Sequence, residues 1–303
     1  MSEKTLKALV VALLAVVVLW ALASFLGGRS GGTDGSREAL AGTLAGATPG
    51  SVSEVRITDP DRSVTLDRTS TGTWTVNGYR ADSGAVARFW SAVEEARVGE
   101  VAATNPANHP RMGVASDSAI TLELVVEGES RTLLVGKQGP SYGTAFVRLP
   151  EADAVHVLDG ELRPSLTRPL EDWRNKRMAA VDTARVARIR VERDGSAYTL
   201  TRADTVWSLE DGGKAEAPPV RTLLGQLANL RASGFVEEAD TLPARAIRVT
   251  AAAPAGDTLV ALELGEGDGD RWARVAGDSI LYRFPSWRVS QVAPEREDVE
   301  GGG

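Results

Sequence analysis

The chain has 303 residues, a formal net charge of −7, an isoelectric point near 5.1 and no cysteine. Its acidity gives no footing for bulk nucleic-acid binding, which needs a basic surface. The missing thiols exclude disulfides, thiolate metal sites and cysteine nucleophiles, so the fold must rest on its apolar core.

Residues 1–7, with Lys4 and Lys7, precede an uninterrupted apolar run from Ala8 to Leu26. About 19 residues rising ~1.5 Å each span roughly 28 Å, enough to cross a hydrocarbon core once. The lysines hold the short leading stub in the cytoplasm. Residues 8–26 therefore read as a single transmembrane helix with an extracytoplasmic, periplasmic body. Ala21-Leu22-Ala23 also has the small-x-small spacing of a signal-peptidase site. Trp20 beside that site, and Phe25 and Leu26 running past it, favour a retained anchor; cleavage after Ala23 is the alternative. With no cysteine after the run, a lipid-modified amino terminus is excluded.

Residues 27–50 are rich in Gly, Ser, Thr and Ala and read as a flexible tether reaching roughly 25–30 Å. Within them Gly28-Arg29-Ser30-Gly31-Gly32 matches G-x-S-x-G. A nucleophile elbow needs a strand before that match and a helix after it, and the flanks here are an apolar run and a glycine-rich stretch.

The body repeats itself at an offset of about 130 residues, which divides it into repeat 1 (51–178) and repeat 2 (179–295), with 296–303 as a disordered tail. Val55-Arg56-Ile57, Val64 to Arg68 and Gly72 to Val76 read as three short strands. Ala187 to Val191, Tyr198 to Arg202 and Thr205 to Leu209 answer them, and a tryptophan opens each third strand. A helix follows in each copy. Its apolar stripe is Val86, Phe89, Trp90 and Val93 in the first and Val220, Leu223, Leu224 and Leu227 in the second, spaced i, i+3, i+4, i+7. Asp82 or Ser83 suits the first cap, and Pro218-Pro219 the first turn of the second. Four strands then return in each copy, from Ile120 to Leu158 and from Ile247 to Tyr282. Gly136 and Gly265 stand at matching positions, read as permissive points before a turn. Short apolar segments, Leu162 to Leu170 and Trp287 to Val292, close the copies. The predicted fold class is α+β: mostly antiparallel sheet, β3-α-β4 plus a short helix, twice.

Little of this pattern carries chemistry. His109 lies in the loop Asn105 to Pro110, and His156 alternates with Val155 and Val157 as an outward strand residue would. Neither has partners at metal-ligand or acid–base spacing, so metal, cofactor and catalytic residues are all assigned as none. The run Gly265 to Asp270 resembles a calcium or nucleotide loop, yet Gly277 stands where an EF-hand needs glutamate and Asp270 replaces the last glycine of G-x-G-x-x-G; a hairpin turn explains it better. Glu151, Asp153 and Asp159 are the acids a hydrolase would use, and they read more simply as solvated loop charges. Trp74, Trp90 and Trp207 read as core, while Trp173, Trp272 and Trp287 are open to a ligand-facing role.

One stretch departs from the acidic average: Arg163 to Arg193 holds nine Lys or Arg against four acids. Arg188 and Arg190 alternate with Ile189 and Val191, as on a solvated strand face. The other reading is an interaction patch of Trp173, Arg174, Lys176, Arg177, Arg188 and Arg190, facing anionic headgroups or an acidic partner.

Met112-Gly113-Val114 before a strand, Glu171 to Met178 leading into the Val186 to Val191 strand, then Trp207 and a Pro218-started helix resemble the bacterial family called domain of unknown function 4340, over about residues 52–290. Met112 and Val114 stand where the family more usually has an aromatic and a leucine, and Asn175 where an aspartate is common. The resemblance implies a bacterial protein anchored by one amino-terminal helix, found beside ABC-type transporters of the gliding-motility or auxiliary kind, with no established catalytic residues. The expected function is a non-enzymatic, membrane-anchored accessory or scaffold protein of an ABC-type transport complex. The alternative is an extracytoplasmic binding module for envelope polysaccharide or lipid.

Overall fold

The computed structural model describes residues 33–300 apart from Asp194, Glu238, Asp240 and Ala244. The apolar run Ala8 to Leu26, the cleavage spacing at Ala21 to Ala23 and the G-x-S-x-G match lie outside the described residues. Among the described residues no helix is long and apolar enough to cross a membrane. The chain forms two compact units, Met1–Asn175 and Lys176–Gly303, so the division falls three residues before the one read from the sequence.

Unit 1 opens with α1 (33–44), where a tether had been expected. Leu40 and Leu44, four residues apart, bury themselves in the core together with Ala47, and that burial holds a glycine-rich segment in helical form. The strands β1 (Val52–Asp59), β2 (Arg62–Arg68), β3 (Trp74–Val76) and β4 (Tyr79–Arg80) follow, then α2 (Ser83–Glu95) and β5 (Arg97–Ala103). After α3 (His109–Met112) come β6 (Ile120–Val126), β7 (Glu129–Gln138), β8 (Thr144–Arg148) and β9 (Val155–Asp159). The short helices α4 (Leu162–Leu166) and α5 (Leu170–Trp173) end the unit. One nine-stranded sheet results, in the order β4-β3-β2-β1-β6-β7-β8-β9-β5.

Alternation fixes which face is buried. Val55 and Ile57 in β1, and Ile120, Leu122, Leu124 and Val126 in β6, all point into one core. Between β6 and β7 the two-residue turn Glu127-Gly128 takes positive φ at both positions, the twist a tight hairpin needs. Asp82 caps α2 by accepting from the Ala85 N–H (2.9 Å), and Ala85, Val86, Phe89, Trp90, Ala92 and Val93 form its buried face.

Unit 2 contains β10 (Arg177–Ala179), β11 (Arg188–Arg193), β12 (Ser196–Ala203), β13 (Val206–Leu209), α6 (Ala217–Ala228), β14 (Leu230–Arg231) and β15 (Gly234–Phe235). It continues through β16 (Arg245–Ala252), β17 (Thr258–Gly265), β18 (Arg271–Val275) and β19 (Tyr282–Phe284) to α7 (Val289–Val292) and α8 (Arg296–Val299). Its eight-stranded sheet runs β13-β12-β11-β16-β17-β18-β19-β15, while β10 pairs only with β14. Position by position this is the order of unit 1 from β3 to β5. In both units a strand from the segment after the long helix, β5 after α2 and β15 after α6 and β14, closes the far edge of the sheet, a strand the sequence pattern did not reveal.

Two further expectations are corrected and one agrees with the structure. Residues 296–299 are helical with Val299 fully buried, where a disordered tail had been read. Gly136 and Gly265 lie inside β7 and β17 without positive φ, and they are glycines because other chain segments pass close by. A Cβ on Gly136 would collide with the Met112 carbonyl and lie 2.7 Å from Val114 Cγ1. The Gly265 to Asp270 run does join β17 to β18 as a hairpin connection.

Candidate functional site: an apolar groove in unit 1

Two members of the predicted interaction patch are buried. Trp173 is fully buried, with its ring edge-on to Phe89 at 5.9 Å between centroids. Arg174 is 5% exposed and its guanidinium lies 3.8 Å from the centroid of the Tyr79 ring. Both belong to the interior of unit 1. In unit 2, Arg177 is exposed and Lys176 partly so. Arg188 and Arg190 do occupy the outer face of β11, where Arg188 pairs with Glu210 (3.5 Å) and Arg190 with Glu192 (2.9 Å). Those pairs offset charge that an acidic partner would need to meet.

The histidines hold structure. Nε2 of His109 donates to the Asp153 carbonyl at 2.9 Å, tying α3 to the β8–β9 loop. His156 is fully buried and not an outward residue, because α1 covers this part of β9 and Ser36 Oγ lies 2.7 Å from its Nε2. Burial lowers the His156 pKa; the Gly99 carbonyl opposes the shift and the Arg37 charge adds to it. Arg148, also buried, spends its guanidinium on the carbonyls of Val114, Leu149, Pro150 and Ala152 and on Ser116 Oγ, fastening the loops at this end of the sheet. Among the described residues no group of three or more His, Cys, Asp or Glu is placed to hold a metal ion.

Among the described residues of unit 1 a large concavity runs between α1 and α2, with a volume of about 1420 Å³. Each helix gives one face to the core and a neighbouring face to this groove. On α1, Leu40 and Thr43 are buried while Ala41, and Ala45 just past the helix, line the opening. On α2, Phe89 and Ala92 are buried while Ala87 and Ser91 line it. Trp74 and Trp90, 5.6 Å apart between centroids, line it too. Trp90 is 6% exposed, and its Nε1 is buried without a hydrogen-bond partner among the described residues, a deficit of about 1–3 kcal/mol. Arg37 donates to the Val98 carbonyl (3.3 Å), which sets the first turn of α1 beside the chain leaving α2. Asp34, Glu38, Glu94 and Arg97 line the groove with Arg37 there, so this end is charged and the stretch at Val86 and Trp90 apolar, while Arg80 lines it beside Trp74.

Sequence reasoning missed the groove because it missed α1. The only signal was the Leu40/Leu44 pair. Glu151, Asp153 and Asp159 do not line it. Of the tryptophans left open, Trp173 is core, Trp272 is partly buried and Trp287 is 71% exposed in unit 2.

The family model described as domain of unknown function (DUF4340) matches residues 73–248, more than half of the chain. No curated protein matches, and no solved structure does.

Proposed function

The chain belongs to the domain of unknown function 4340 family, and from that premise we propose a non-enzymatic, membrane-anchored extracytoplasmic accessory protein that acts with an ABC-type transport complex. The apolar run Ala8 to Leu26 supports the anchor. The groove between α1 and α2 carries the reading, because it is a large, mainly apolar concavity on the unit nearest the anchor in the chain. The bacterial setting and the transporter partner follow from the family resemblance.

The second reading, a binding module for envelope polysaccharide or lipid, is favoured by the same groove. Its apolar middle suits lipid better than sugar, whose hydroxyls need rows of polar partners. With Trp173 in the core, the sugar-stacking surface loses one of its three candidate rings.

Cross-linking of the full chain in its native membrane, followed by identification of adducts, tests the accessory reading. Recovery of a transporter permease or ATPase supports it, and recovery of nothing but self-contacts and lipid contradicts it.

A further inference from the structure

The α1–α2 groove is lined on both sides by small residues. Ala41 on α1 with Ala45 just after it, and Ala87 and Ser91 on α2, are small and exposed. Small facing residues ordinarily let helices close to about 8 Å or a little more between axes. Here the space between them stays open at about 1420 Å³, above the ~300–1,000 Å³ of a site for a drug-sized molecule.

Two other observations point to the occupant. The groove lining is apolar around Val86 and Trp90 and charged where Arg37 and Arg97 meet Asp34, Glu38 and Glu94, with Arg80 beside Trp74. The charged end lies at the first turn of α1, and that turn is close in sequence to the apolar run. Leu26 and Thr33 are seven positions apart, a span of at most about 25 Å even when fully extended. The charged end is thereby kept within reach of a bilayer surface, and a molecule with a charged head and apolar tails fits the polarity of the groove in that orientation.

We propose that the groove takes up the acyl chains of a membrane phospholipid, with the headgroup at the Arg37–Arg97 end. This rests on the membrane-anchored reading above and names the ligand class for the same site. The mouth carries both signs of charge, Arg37 and Arg97 with Asp34, Glu38 and Glu94, which matches a phosphate that carries an ammonium group better than a bare anion.

The test uses the full chain reconstituted into phosphatidylethanolamine/phosphatidylglycerol vesicles with a trace of phospholipid bearing a photoreactive acyl tail. After irradiation, adducts are mapped by mass spectrometry. The expected result is labelling of peptides containing Ala41 and Ala87 as well as the apolar run. Ala87→Trp, which fills the groove from an exposed position, should cause a several-fold loss of the groove adducts while leaving the adducts in residues 8–26 and the thermal melting unchanged; Ala41→Phe repeats the test from the other wall. Adducts confined to residues 8–26 overturn the proposal. So does cross-linking of the groove peptides to residues 8–26, to a second copy or to a helix of another protein in native membranes. Loss of the transporter partner in the cross-linking above, with groove adducts retained, defeats the accessory reading alone. Retention of the partner without groove adducts defeats only the lipid assignment.

Discussion

Ser36 Oγ lies 2.7 Å from Nε2 of the buried His156, joining the first turn of α1 to β9. The other ring nitrogen is 3.5 Å from the Gly99 carbonyl. This contact, with Leu40 in the core, sets where α1 sits and so sets one wall of the groove.

The same contact makes α1 sensitive to acid. Burial first, then the nearby Arg37, hold the His156 pKa below its ordinary value against the opposing Gly99 carbonyl. A folded-state pKa below the unfolded value of about 6.5 gives stability that is complete above that pH and is lost as pH falls beneath it, because the unfolded chain then binds a proton the folded one resists. Hydrogen exchange of residues 33–44, corrected for intrinsic rate, should show protection falling between neutral pH and pH ~5. His156→Gln should flatten that dependence. Wild-type protection that does not change with pH would contradict this account of the latch.

Close packing at Gly136 predicts a sharp contrast between two glycines. Gly136→Ala forces a methyl onto the Met112 carbonyl and Val114, and should destabilise unit 1 by about 1–3 kcal/mol. Gly225→Ala, within α6 and with open space where a Cβ would sit, should stabilise unit 2 by about 0.5–1 kcal/mol. Urea denaturation of the two variants checks both signs.

Arg174 and Arg190 are close in sequence and opposite in role. The segment at Arg174 is stitched to β4 and the residues after it, with the Asp82 N–H donating to the Trp173 carbonyl (2.7 Å) and the Asn175 N–H to the Arg80 carbonyl (2.9 Å). Arg174→Ser removes the guanidinium from above Tyr79 and empties a buried site, at a cost of about 1–3 kcal/mol. Arg190→Ser removes an exposed strand-face charge and should shift stability by no more than about 0.5 kcal/mol. Equal melting temperatures for the two variants would show that Arg174 does not brace the unit.

Much of the fold was legible because its elements follow simple periods. The stripe Val86, Phe89, Trp90 and Val93 does face the core, and the alternation in β1 and β6 gives the correct buried face. The elements that escaped lack such periods. β5 is an edge strand, Arg97-Val98-Gly99-Glu100-Val101-Ala102-Ala103, with no fully buried position and so no alternation to read. α1 has tether-like composition and is ordered by tertiary contact through Leu40 and Leu44. His156 looked outward because its cover, α1, was unseen. Arg174 looked like a surface charge because a guanidinium buried over a tyrosine leaves no mark on spacing. The groove depends on α1 and α2 together, and one of those walls was invisible in the sequence.

Occupancy of the groove in the native membrane is tested most directly by thiol reactivity, since the chain has no cysteine of its own. Ala87 and Arg88 are adjacent and both exposed on α2, and of the two only Ala87 lines the groove. A polar maleimide applied to membranes holding full-length Ala87→Cys or Arg88→Cys should label the first several-fold more slowly than the second, with the rates converging once the protein is unfolded in urea. Equal labelling in intact membranes would mean that the groove stands empty, and would contradict its role as the working surface of the protein.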